Sequence, residues 1–160
     1  MKLKNSLIVV EDIETSKAFY KDLFGLQVVT DFGENVILTE GLVLQERKLW
    51  EKFTGKEVVK GGNDAELYFE ENDMDAFLKI LKDSSHPIEY VNPLMEHDWG
   101  QRVIRIYDPD KHVIEVGESL EYVARRFLKP GMTVEQVVEK TQLPFSQVEL
   151  IEGSMGEHIE

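Results

Sequence analysis

The chain has 160 residues, a formal net charge of −13 and no cysteine. That length suits one domain with its own core, and 42% hydrophobic residues is a globular rather than a disordered composition. The charge disfavours nucleic acid and anionic membrane surfaces as partners, and the missing cysteine excludes disulfides, thiolate zinc sites and cysteine nucleophiles.

In chain order, NSLIVVED (5–12) alternates and is rich in β-branched residues, which predicts a strand. DIETSKAFYKDLFG (12–25) places Ile13, Ala18, Phe19 and Leu23 on one helical face, with Asp12 as N-cap and Gly25 as stop. LQVVTDF, NVILTE and LVLQER are three short strand candidates separated by turn residues. KLWEKFTGKEVVKGGND (48–64) is polar, ends in Gly-Gly and reads as a linker positioned to fold over a site. Trp50 and Phe53 within it suit ordinary packing better than a substrate platform.

The order then repeats. AELYFEEND (65–73) predicts a strand, DMDAFLKILKD (73–83) a helix, and IEYVNPL, QRVIRIYD and KHVIEVGE three strands. Asp12 lies seven residues after Asn5, and Asp73 lies seven after Glu66, so the strand-to-cap spacing agrees between the copies. From Ser119 onward the periodicity turns helical, broken at KPG and LP, which predicts two or three short helices and a frayed SMGEHIE tail. MTVEQVVEKTQLPFSQVELI has the outline of a helix-turn-helix, but its second helix has no Arg or Lys to meet phosphate or guanine. The apolar Val123, Phe127, Val134, Val137 and Val138 suit packing on the preceding domain or on a second copy. The start MKLKNSLIVVEDIE turns acidic too soon for a secretory signal, and no apolar run approaches the roughly 18–20 residues that span a bilayer. A soluble, cytoplasmic protein without a membrane partner is expected.

Strand parity locates a site. Side chains alternate between faces. Ser6, Ile8 and Val10 share one face of the first strand, and Asn5, Leu7 and Val9 the other. Leu67 and Phe69 face a helix, so Glu66, Tyr68 and Glu70 face away. In VIRIYDPDKHVIEV (103–116), Ile104, Ile106, Ile114 and Val116 form the helix-facing set, and Val103, Arg105, Tyr107, Val113 and Glu115 look into a hollow. Two full charges thus line a polar wall while the neighbouring isoleucines belong to the core.

The run VVEDIETSKAFYKDLFGL, the hairpin DPDKHVIEV and the two βαβββ modules resemble the glyoxalase / bleomycin resistance / extradiol dioxygenase superfamily, the vicinal oxygen chelate proteins. The likeness covers about residues 1–118. It implies an α+β fold with modules at about 1–50 and 64–118 forming a curved sheet around a cup, followed by a helical extension at 119–160. It also implies ligand positions at Asn5, Gln45 (Glu46 if the register slips by one), Glu66 and Glu115, none of them a histidine here. Two carboxylates with two amides form an all-oxygen set that suits Mg²⁺ or Mn²⁺. In the family such a metal polarises vicinal oxygens of the substrate.

Two carboxylates sharing a desolvated cup need a cation between them, a partner such as Arg105, or a shared proton. Two functional readings follow. A binding protein would sequester or sense a small-molecule ligand on Arg105, Tyr68, Tyr107, Trp99 and His97, with no cofactor. A lyase, isomerase or dioxygenase acting on a small oxygenated substrate would use Glu66 and Glu115, with a divalent metal or as a general base. Of the histidines, His112 falls in a turn, expected at the surface, His86 in a loop and His158 in the tail. His97, with Trp99 in MEHDWG (95–100), belongs to a rim loop of the kind that carries function. A homodimer is expected.

Overall fold

A computed structural model describes residues 1–156. Strand β1 (Ser6–Val10) leads into helix α1 (Ile13–Phe24), then β2 (Val28–Asp31), β3 (Asn35–Leu38) and β4 (Leu42–Glu46). The second copy runs β5 (Glu66–Glu70), α3 (Met74–Asp83), β6 (Glu89–Glu96), β7 (Arg102–Tyr107) and β8 (Val113–Gly117), and between the copies lies α2 (Arg47–Thr54). The sheets have the orders β1-β4-β3-β2 and β5-β8-β7-β6, the same permutation in each copy. In the first, β1 pairs parallel with β4 while β3 pairs antiparallel with β2 and β4. Both sheets are mixed and open, which makes the fold the expected α+β pair of βαβββ modules.

Both predicted caps form. Asp12 accepts the Thr15 N–H at 2.6 Å and Asp73 that of Ala76 at 2.9 Å. Gly25 takes the left-handed conformation, φ 68°, and closes α1 with its N–H on the Lys21 carbonyl.

The chain divides into two compact units. The first comprises Met1–Leu67, Lys79–Val91 and Ile106–Ile114. Its core holds Val10, Phe19, Tyr20, Leu38, Leu44 and Ile114, all essentially sealed from water. The second comprises Tyr68–Leu78, Asn92–Arg105 and Glu115 onward. There Met74, Phe77, Ile104 and Val116 are buried. The helices α4 (Leu120–Leu128), α5 (Val134–Thr141) and α6 (Phe145–Gly156) enclose an apolar cluster of their own, built on Ala124, Leu128, Val137, Val148 and Ile151. Thr133 and Gln136 form a reciprocal capping box that starts α5.

Two local expectations need correction. The first eight residues after β4 are not linker but α2. Glu46 accepts the Leu49 N–H at 2.8 Å, Arg47 pairs with Glu51 at 2.9 Å one turn on, and Gly55, φ 65°, ends the helix. A glutamate cap is a weaker signal than Ser, Thr or Asp, and it left this helix unread. Second, Ser154–Gly156 continue α6 rather than fraying, and the rest of the tail, with His158, lies outside the described residues. His112 is half exposed, and its Nδ1 lies 2.8 Å from Asp108 Oδ2. It is a turn residue at the surface, as expected, and that contact also ties it into the knot that closes the β7–β8 turn.

Candidate functional site

The second unit carries the polar face that parity predicted. The Arg105 guanidinium on β7 forms an ion pair with Glu115 Oε2 on β8, the side chains being 24% and 10% exposed. A Cβ placed on Gly117 would sit 3.1 Å from Val103, 3.2 Å from the Gln101 amide nitrogen and 3.3 Å from the Tyr68 ring. Glycine there leaves room for Tyr68 to lie across β8. Residues two apart on a strand share a face, so Glu115 goes with Gly117, and Gln101 and Arg105 go with Val103. Tyr68, Gln101, Arg105 and Glu115 therefore occupy one side of the sheet. The buried Ile104 and Val116 occupy the other.

A chain of hydrogen bonds runs along this face. Trp99 Nε1 donates to Gln101 Oε1 at 2.9 Å, while Gln101 Nε2 donates to the Tyr68 hydroxyl at 3.2 Å and to the Glu118 carbonyl at 2.7 Å. The Tyr68 hydroxyl in turn reaches Glu70 at 3.4 Å. Partial burial, and then the Glu70 charge, hold the Tyr68 hydroxyl above the ordinary phenol range. His97 stacks on Trp99, ring centroids 4.2 Å apart at 15°. Trp99 remains 37% and Tyr68 47% exposed, so the face offers aromatic area and polar atoms to solvent together. Gln101 joins every part of this network yet was not singled out from sequence. Its position just before β7, in phase with Val103 and Arg105, was the available signal.

The remaining predicted positions are placed as follows. Glu66 and Glu70 are exposed and alternate with the half-buried Leu67 and Phe69, as parity required. Tyr107 belongs to the first unit, where its hydroxyl donates to Asn63 Oδ1 at 2.8 Å. Asn5 lies just before β1, its amide donating to the Gly41 carbonyl at 3.2 Å. Gln45 is buried opposite Asn35. Its Oε1 accepts from the Asn35 amide at 2.8 Å, and its Nε2 donates to the Glu34 carbonyl at 3.0 Å. Glu46, the alternative to Gln45, caps α2. Among the described residues no group of three or more His, Asp or Glu side chains could hold a metal ion. As placed, Gln45 Oε1 faces the Asn35 amide and Glu115 Oε2 the Arg105 guanidinium.

The first unit holds a separate polar feature in the hairpin turn. Asp108, 3% exposed, accepts from the Tyr20 hydroxyl at 2.8 Å and from the backbone N–H groups of Asp110 and His112. Asp110, 4% exposed, meets Lys60 at 2.8 Å and the Glu11 N–H at 3.1 Å. A cavity of about 220 Å³ lies beside this turn, walled by Gly61, Gly62, Lys111 and His112.

Residues 3–121 match the family model of the glyoxalase-like domain, and the chain belongs to that family. Three solved structures place it further. A protein of unknown function from Agrobacterium tumefaciens is 40% identical, with a TM-score of 0.63 over 74% of this chain and 94% of that one. A lactoylglutathione lyase from the same organism is 21% identical, TM-score 0.57, over 74% and 93%. A glyoxalase/bleomycin resistance protein/dioxygenase from Nocardioides is 17% identical, TM-score 0.58, over 74% and 83%. The last two establish shared fold alone. No curated protein matches the sequence. Helices α5 and α6 fall beyond the matched family region.

Proposed function

We propose that this chain is a small-molecule-binding member of the glyoxalase-like family that sequesters or senses its ligand on the polar face of β7 and β8. The observation that supports this most is the Arg105–Glu115 pair. The guanidinium already neutralises this largely buried carboxylate, which lessens what a cation would gain there, and separating the pair is costly. Together the pair presents fixed hydrogen-bonding groups without a large net charge. Beside it, Tyr68, Gln101 and the stacked His97 and Trp99 supply ring surface and donors. Such a face suits a small molecule that combines a planar ring with carboxylate or carbonyl oxygens. The second reading, a carboxylate- or metal-assisted lyase, isomerase or dioxygenase, is favoured by the exposed Glu66 and Glu70 on either side of Tyr68.

Thermal melting separates the two. Benzoate, a ring with one carboxylate, is expected to raise Tm through preferential binding to the folded state, and Arg105→Met is expected to remove the rise. Mn²⁺, Mg²⁺, Ni²⁺ and Zn²⁺ are expected to leave Tm unchanged. A metal-induced rise that Glu115→Gln abolishes would replace the binding reading with the enzymatic one.

A further inference from the structure

The loop that carries His97 and Trp99 is short. Its ends are closed by the His97 N–H on the Gln101 carbonyl at 2.9 Å and the Gly100 N–H on the His97 carbonyl at 2.8 Å. Two of its carbonyls are met by side chains of the C-terminal helices. The Asp98 carbonyl accepts from Lys140 on α5 at 3.1 Å, and the Gly100 carbonyl accepts from Arg126 on α4. Arg126 also lies 3.3 Å from Glu118, which is fully buried, and 3.5 Å from Glu96 at the end of β6. Between the two cations sits the Phe127 ring, with the Arg126 guanidinium 5.1 Å and Lys140 Nζ 5.3 Å from its centroid. The fit behind the loop leaves no slack. A Cβ on Gly100 would lie 2.3 Å from Phe127 Cε2, and the residue holds φ 88°, where glycine alone is comfortable.

We infer that the C-terminal helices are a strut for the site rim, and that Arg126, Phe127 and Lys140 are positioning residues that fix the His97–Trp99 stack. The loop's own bonds, two between backbone groups and one from Trp99 to Gln101, close its path, and the helices add contacts to the Asp98 and Gly100 carbonyls that those bonds do not use. The helices have an apolar cluster of their own, so they form a rigid backing. The two cations that meet the loop carbonyls, Arg126 and Lys140, lie beyond residue 121, where the family model ends. The Agrobacterium protein of unknown function is 94% covered by the match, which leaves about a quarter of this chain without a counterpart there. Arg126, Phe127 and Lys140 thus lie outside the part of this chain that the family model describes. The inference rests on the proposed binding face for its consequence, but the loop can be read without any ligand.

The experiment uses the full chain carrying Trp50→Phe, so that Trp99 is the sole indole. Emission maximum and acrylamide quenching are compared for the parent, Arg126→Met, Arg126→Lys and Lys140→Met, with far-ultraviolet circular dichroism as the check on folding. Arg126→Met is expected to red-shift Trp99 and at least double its quenching constant, Lys140→Met to do so by a smaller amount, and Arg126→Lys to restore most of the parent value. Should Arg126→Met fail to fold, Lys140→Met carries the same test. Unchanged emission and quenching in every folded variant would overturn the strut. If benzoate binds nowhere while Trp99 responds as described, the binding reading falls and the strut stands.

Discussion

The two turns that border β7 are both closed by their own backbone, and they differ in which of their groups meet the rest of the fold. The turn after it, Asp108–His112, draws donors inward onto a buried carboxylate, and most of those donors are its own backbone and side chains. The turn before it, His97–Gln101, turns carbonyls outward and has them met by cations from helices that follow much later in the chain. A locally closed turn is a structural knot, and its carboxylates Asp108 and Asp110 are 3% and 4% exposed. A turn fastened from behind keeps its front open, and that is the side on which Trp99 and His97 are displayed. Inward polarity serves stability, and backed-up exposure leaves the Trp99 ring open to solvent.

Removing the knot should have the largest effect. Asp108→Ala strips the acceptor from Tyr20, His112 and two backbone N–H groups at a site 3% exposed, and should cost about 3–5 kcal/mol in a denaturant titration. Gly100→Ala attacks the other turn from behind. Its Cβ meets the Phe127 ring well inside contact distance, so α4 or the loop must yield, at about 2–3 kcal/mol. If Gly100→Ala were neutral, the tight backing of the rim turn would be wrong. Tyr20→Phe is the smallest change, about 1 kcal/mol near neutrality. Its signature is in pH. Burial, and next the Asp108 charge, push the Tyr20 hydroxyl well above the ordinary phenol range, so the folded state favours the protonated form. That contribution is complete below the unfolded phenol value of about 10 and is lost as pH rises beyond it. The parent should lose stability steeply on the alkaline side, and Tyr20→Phe should flatten that limb.

The double module was legible because its signals are local. Asp12 and Asp73 cap where a cap is needed, Gly25 stops α1, and alternation in β5 sorts Glu66 and Tyr68 from Leu67 and Phe69. Parity also put Arg105 and Glu115 on one face, although burial alone hides this in β8, where every residue is buried. The misses have two causes, a weak local signal and a distant partner. Helix α2 begins on a glutamate cap. Gln101 and Arg126 gain their roles from partners 17 and 26 residues away, and no short window contains both ends of such a contact. The ligand set at Asn5, Gln45, Glu66 and Glu115 came from family resemblance rather than from the residues themselves, and a metal titration is what tests it.

The central claim is that the β7–β8 face, with its stacked rim, receives the ligand. Nitrogen–proton correlation spectra of the full chain during a benzoate titration test it most directly, because the two indole N–H signals report separate places. The Trp99 side-chain signal should move saturably while that of Trp50 stays, and Arg105→Met should weaken the response. Movement of Trp50 alone, or of neither, would contradict the account.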